Sequence, residues 1–242
     1  MVYNSSVVYE RSSCYMKNSE SPSFNPEQKI EQEPSPVEIR QIQNDDEIAQ
    51  MWQLHRRVYN ECADDEKEEQ NQVKVLVENT KNVLEAKDGT YVLVGAFEEG
   101  GDLIGWGRLS CDLQKKEAFL SYKVVDEKFR MKGVSKQITE TRLEFAKALG
   151  CEIAKAHISL DKPAAIRSIF SSGFVFTYPF TDSLVIAEKE LVPTKNEDSI
   201  AQSTQMVPLH DKKEIMNLLN KGWKGVSLTM GDGANWHLHL EK

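Results

Sequence analysis

The sequence predicts an α/β (α+β) domain with a mixed central sheet of about seven strands and helices on both faces. Three observations lead there. Short runs alternate between apolar and polar residues with the period of a half-buried strand. Amphipathic stretches with helical spacing fall between some of these runs and not others. One strand, helix, strand passage has the layout of a parallel crossover.

Residues 1–36 are rich in Ser, Asn, Glu and Pro, end in QEPSP, and lack apolar periodicity, so they are expected to form a flexible tail. VEIRQI, 37–42, then reads as a strand. Asn44 or Asp45 can cap a helix that carries Ile48, Met51, Trp52, Leu54, His55 and Val58 on one face. After ADDEKEEQ a second helix runs through Val73, Leu76 and Val83 towards Gly89, which suits a left-handed cap. YVLVGAFEE and DLIGWGRLSCD, joined by Gly100 and Gly101, read as an antiparallel hairpin, with EAFLSYKVV as the next strand. Ile138, Leu143, Phe145, Ala146 and Leu149 mark an amphipathic helix from Lys136 that stops at Gly150. CEIAKAHIS follows as a strand, KPAAIRSIF as a short helix with Pro163 in its first turn, and GFVFTYPF and SLVIAEKEL as closing strands. Past Leu191 the chain turns polar in VPTKNEDSIAQSTQ before a small helix, KKEIMNLLNKGW, and a terminal hairpin, VSLTMGDGANWHLHL.

A chain of 242 residues with 40% hydrophobic residues can bury a sizeable core. No apolar run approaches the roughly 18 residues needed to cross a bilayer, and the start lacks the apolar stretch of a secretory signal. Cys14, Cys62, Cys111 and Cys151 are widely spaced and form no CxxC pair, so reduced thiols and a cytoplasmic location are expected. A net charge of −8 disfavours a nucleic-acid partner, which calls for clustered Lys and Arg. His237 and His239 share one face of the last strand but are too few for a metal site.

The functional signal lies in VVDEKFRMKGVSKQI. The first amides of a helix have no partner within it and carry the positive end of its dipole, so a glycine-led helix start is a ready anion site. The amides of Met131, Lys132, Gly133, Val134 and Ser135 can turn towards one point, with Arg130 and Lys132 adding positive charge, and a diphosphate is the natural guest. A glycine between strand and helix also serves as a plain turn, and the surrounding order of elements is what favours the ligand.

In that order of elements, and in two motifs, residues 37 to about 191 resemble the GNAT family, the Gcn5-related N-acetyltransferases. VDEKFRMKGVS is similar to the family's acetyl-CoA pyrophosphate loop: Arg130 and Gly133 fit, and Ser135 replaces the usual small residue. KPAAIRSIFSSGFVF is similar to its second signature through Ala165, Ile166, Gly173 and Phe174, with Lys162 in place of the usual Asn and Ile169 in place of the usual Tyr. The resemblance implies a GNAT acyltransferase domain over 37–192, followed by an extension over 193–242 that lengthens the sheet, covers the acceptor side, or pairs two copies into a homodimer. It implies acetyl-CoA as co-substrate, with no metal, pantetheine lying along Lys123, Val124 and Val125, and the Val125 amide facing the acyl carbonyl.

An attacking amine must lose a proton, so a base is expected. The resemblance points to the strand of Phe119, where Glu117 projects to the same face and is the candidate base, against the plainer reading of a solvated carboxylate. His157 is a second candidate, and the acid is unassigned: Ser168, Ser171 and Tyr178 all miss the register of Ile169. The acidic stretch Asp64, Asp65, Glu66, Glu68 and Glu69 can attract a cationic acceptor or simply cap the second helix. The expected function is transfer of an acetyl group from acetyl-CoA to a primary amine of a small molecule or protein. The alternative, motivated by the missing Tyr and Asn, is a CoA-binding module of the same fold that acts through protein contacts without turnover.

Overall fold

The computed structural model describes residues 37–63, 65–86, 90–192, 203–231 and 235–242. The expected tail, Asp64, the Gly89 cap and most of the polar linker lie outside the described residues.

The chain opens with β1 (Glu38–Gln41), α1 (Asp45–Tyr59) and α2 (Glu66–Ala86), then β2 (Tyr91–Phe97), β3 (Leu103–Asp112) and β4 (Glu117–Val125). A crossover through α3 (Val134–Ala148) leads to β5 (Ile153–Ser159), followed by α4 (Pro163–Ser171), β6 (Val175–Pro179) and β7 (Leu184–Glu190). The remainder is β8 (Thr204–Pro208), α5 (Lys212–Asn220), β9 (Lys224–Met230) and β10 (Trp236–Glu241). All ten strands form one sheet in the order β1-β2-β3-β4-β5-β7-β6-β9-β10-β8. Among the described residues β4–β5 is the one parallel pairing, as the crossover requires.

Local chemistry explains the elements that position the site. Asn44 is the N-cap of α1, its Oδ1 accepting from Glu47 N at 3.0 Å, while Glu47 accepts from Gln43 N and from Arg40. Arg40 holds the Glu47 carboxyl below the usual carboxylate range. Asn44→Ala is expected to cost about 1 kcal/mol, measured as a lower thermal midpoint.

Helices cover both faces. Ile48, Met51 and Leu54 of α1 pack on Leu93, Phe97, Trp106 and Val124, whereas Ile138 and Leu143 of α3, Ile166 and Ile169 of α4, and Ile215 and Leu218 of α5 pack on the opposite face with Val94, Ala96, Leu120 and Ala154. Alternation along β2 sends Val94 and Ala96 one way and Leu93 and Phe97 the other, so each central strand serves two cores.

The C-terminal segment lengthens the sheet. β9 joins β6 at Phe176 and Gly225, where a Cβ on Gly225 would stand 3.1 Å from Phe176, a tight contact that glycine avoids. β8 begins in the last two residues of the stretch that reads as polar linker and runs on through Met206, Val207 and Pro208. Thr204, Gln205 and Met206 are exposed and Val207 alone is fully buried, so an edge strand with one anchoring residue leaves no period to detect.

Candidate functional site

Asp126 closes a short turn after β4 by accepting from Lys128 N at 3.0 Å, and the chain then enters α3 through two left-handed residues, Met131 at φ 64° and Gly133 at φ 82°. Gly133 is the N-cap of α3 and has no side-chain partner there. A Cβ at Gly133 would meet only Gln137 Nε2, at 3.9 Å, so the glycine is required by its φ rather than by space. Among the described residues the amides of Met131 to Ser135 donate to no acceptor, whereas those of Phe129 and Arg130 before them and Lys136 and Gln137 after them do.

Residues 130–133 are exposed, so the first of these free N–H groups lie at the surface at the positive end of α3. Lys132 Nζ lies over the Phe129 ring at 5.2 Å, and Arg130 Nε points to Val125 O at 3.4 Å. Val134 is 1% exposed and roots the helix in the core, leaving only its amide for a ligand.

Beside this loop the sheet parts. β4 pairs with β5 only from Glu117 to Phe119, against Ile153 to Lys155; beyond these residues the two strands have no register pairs with each other. Asp126 N donates to Ile104 O of β3, so alternation turns the Val125 N–H away from β3 and towards the gap. Val124 faces the α1 core, and the Val125 side chain packs on the α3 side.

A bulge at Tyr122, φ 44°, shifts the register between β3 and β4, and Arg142 of α3 fills the kink. Arg142 Nη1 donates to the carbonyls of Arg108 at 3.1 Å and of Ser121 and Tyr122 at 3.3 Å. A Cβ on Gly107 would stand 2.9 Å from the guanidinium, so this glycine makes the room. Burial lowers the Arg142 pKa to about 9. Sequence reasoning missed this arginine; a polar residue on the apolar face of the 136–149 helix, opposite a Gly-Trp-Gly strand, was the available signal.

Lys123 is also directed inwards. Its Nζ donates to Ser168 Oγ on α4 at 2.8 Å and to Thr139 Oγ1 on α3 at 3.3 Å, and Ser135 Oγ lies 3.0 Å from Ser168 Oγ. Desolvation, and then the nearby Arg142, lower its pKa to about 7. Ser135 and Ser168 therefore join across the gap rather than facing water.

The opposite face of the sheet carries the base candidates. Glu117 accepts from Lys155 Nζ at 2.6 Å, and Lys155 also lies 3.4 Å from Glu188, at the end of β4 where β5 is still paired. His157 stacks on Phe180 at 4.1 Å and meets Phe119 edge-on at 5.1 Å, and burial lowers its pKa. Tyr178 donates to Glu188 at 3.3 Å, and Ser171 to Ser168 O.

Nearer the bulge, His55 of α1 sits among Trp52, Tyr59, Trp106 and Tyr122, with ring centroids 4.7 to 5.8 Å away, an aromatic wall the sequence did not announce. In the acidic stretch, Asp65 caps α2 through Glu68 N, and Glu69 binds Arg56 through both oxygens at 2.8 Å. Glu69 thereby ties α2 to α1, while Asp65 serves its own helix. His239 Nε2 lies 2.7 Å from Thr229 Oγ1, and no group of metal-ligating side chains occurs among the described residues. No helix among them is long and apolar enough to cross a membrane.

The profile of the acetyltransferase (GNAT) family matches residues 44–174, slightly more than half of the chain. Among solved structures, mutant forms of the spermidine/spermine N-acetyltransferase SpeG from Vibrio cholerae superpose with a TM-score of 0.51 at 12% identity, over 64% of this chain and 94% of that one. yncA from Salmonella typhimurium, with its cofactor acetyl-CoA, gives 0.50 at 17% identity, over 69% and 100%. At these identities the likeness shows the fold. No curated protein matches the sequence. With the family profile covering both the Gly133 turn and the parted strands, the chain belongs to the GNAT acetyltransferase family.

Proposed function

We propose that this protein transfers an acetyl group from acetyl-CoA to a primary amine of a small molecule or protein, in the cytoplasm and without a metal. The observation that carries the reading is the run of free amides from Met131 to Ser135 at the head of α3, exposed over 131–133 and next to the gap between β4 and β5. Five N–H groups and the cations of Arg130 and Lys132 fit a diphosphate, and the strand edge of Lys123 and Val125 fits an extended amide chain. Acetyl-CoA would supply an activated thioester. The Val125 N–H, turned to the gap, is the donor for the carbonyl oxygen as it gains charge. Val124 contributes backbone alone, since its side chain belongs to the core.

Glu117 is the proposed base for the acceptor. Its ion pair with Lys155 places it on the face opposite α3, and removing a proton requires that pair to open. A substrate ammonium competing for the carboxylate is a physical means of opening it. The net charge of −8 favours a cationic acceptor over an anionic one.

The test combines acetyl-CoA, purified protein and a panel of amines, reading thiol release together with the acetyl mass gain on the acceptor. Release that depends on both protein and amine is expected, with Glu117→Gln reducing turnover by about 10²-fold. Calorimetry that detects no binding of acetyl-CoA would remove the proposal. Binding without transfer to any acceptor would replace it with the CoA-binding module.

A further inference from the structure

Two basic side chains meet behind the gap between β4 and β5 with nothing negative beside them. Lys123 reaches from β4 to Ser168 on α4, so its amine spans the place where the strands part. Arg142 approaches from α3, its Nη2 3.4 Å from the same Thr139 hydroxyl that lies 3.3 Å from Lys123 Nζ. Neither cation has a carboxylate partner among the described residues; the one charged neighbour that acts on Lys123 is Arg142. The rest of the lining is neutral. α3 presents Ser135 and Thr139, α4 presents Ser168, and β5 turns Ala154 and Ala156 to this side while its titratable residues, Lys155 and His157, lie on the other.

A buried cation is costly unless an anion or several hydrogen bonds compensate for lost water. Arg142 has three carbonyls for this purpose. Lys123 has two hydroxyls and an uncompensated charge. A site of this kind is arranged for a negative charge that arrives with a ligand and needs no reorganisation to meet it.

We propose that Lys123 is the group that receives the leaving sulfur, stabilising the thiolate and handing it a proton. The inference rests on the acyltransferase reading above. In the balanced step the amine nitrogen forms the C–N bond, the C–S bond breaks with its electron pair staying on sulfur, and Lys123 Nζ gives sulfur one proton. The acceptor nitrogen loses one proton in the same turnover, which through base and water restores the ammonium. With Lys123 at about 7 and the neighbouring ammonium favouring the bound thiolate about tenfold over the free one, whose pKa is about 8.5, proton transfer to sulfur remains downhill by roughly threefold. Arg142 is fixed on its carbonyls and acts by holding that balance rather than by contact.

The test reads the thiol without turnover. Coenzyme A bound to the full chain is titrated by the ultraviolet absorbance of its thiolate, with affinity measured by calorimetry. At neutral pH the wild-type complex is expected to hold about tenfold more thiolate than free coenzyme A, because the neighbouring ammonium favours the anion. Lys123→Met should abolish that excess while its Kd stays within about threefold. Lys123→Arg should keep the excess, since the charge remains, and lose acetyl transfer by about 10²-fold, since a guanidinium does not give up its proton.

Coenzyme A that binds with no thiolate excess in the wild type, or with an equal excess in Lys123→Met, overturns the proposal and leaves the acyltransferase reading standing. An acetyl group found on Lys123 after incubation with acetyl-CoA also overturns it, because the amine would then be a nucleophile. If coenzyme A does not bind at all, both fall. The absence of a thiolate excess in the wild-type complex overturns the proposal even if a variant fails to fold.

Discussion

Gly133→Glu is expected to weaken acetyl-CoA binding by at least about 10²-fold, measured by calorimetry, with the protein still folded. Two effects add. Gly133 sits at φ 82°, where a side chain brings strain of roughly 1–2 kcal/mol; the free turn would shed it by relaxing, and ligand binding would have to restore it. The new carboxylate also lies in the middle of the free amides, where it competes with a diphosphate for their N–H groups and repels it. Together these amount to about 3 kcal/mol, and each 1.4 kcal/mol is tenfold in affinity. Gly133→Ala separates the two: a Cβ there meets nothing closer than 3.9 Å, so it should lose only the conformational part, about tenfold. Equal binding by wild type and the glutamate variant would mean that this turn holds no phosphate.

Arg142→Met is the second large effect, this time on stability. The substitution keeps a long apolar stem but leaves the carbonyls of Arg108, Ser121 and Tyr122 at the bulge without their donor. An unsatisfied buried acceptor costs about 1–3 kcal/mol, and removing an unpaired charge gives part of that back, so a net loss of about 3 kcal/mol is expected in urea or thermal unfolding. The same contact can be broken from the other side. Gly107→Ala places a Cβ 2.9 Å from the guanidinium and should displace it. Because the two changes act on one interaction, the double variant should lose less than the sum of the single losses. Full additivity would show that Arg142 does not hold the bulge.

Much of the architecture was legible because it is written in local patterns. The Asn44 cap, the β2–β3 hairpin at Gly100-Gly101, β4 and the Pro163 start of α4 each depend on residues within a few positions of one another. The glycine turn at the head of α3 was legible for the same reason: a glycine opening an amphipathic helix after a strand is a contiguous signal, and its left-handed φ and free amides follow from it. The family resemblance pointed to Glu117 as a candidate but not to the partner that holds it, since Lys155 lies 38 positions away. β8 was missed because an exposed edge strand buries only Val207.

The sequence by itself determined that this chain builds a mixed sheet with a glycine turn opening one helix, since turn geometry needs only neighbouring residues. Only the tertiary structure decided what surrounds the gap. Lys123 meets Ser168 across 45 positions, Arg142 reaches the Arg108 carbonyl across 34, and the C-terminal strands extend the sheet through a single approach at Gly225. The reason is physical: burial and charge pairing are set by which strands lie side by side, and that order is a property of the folded sheet.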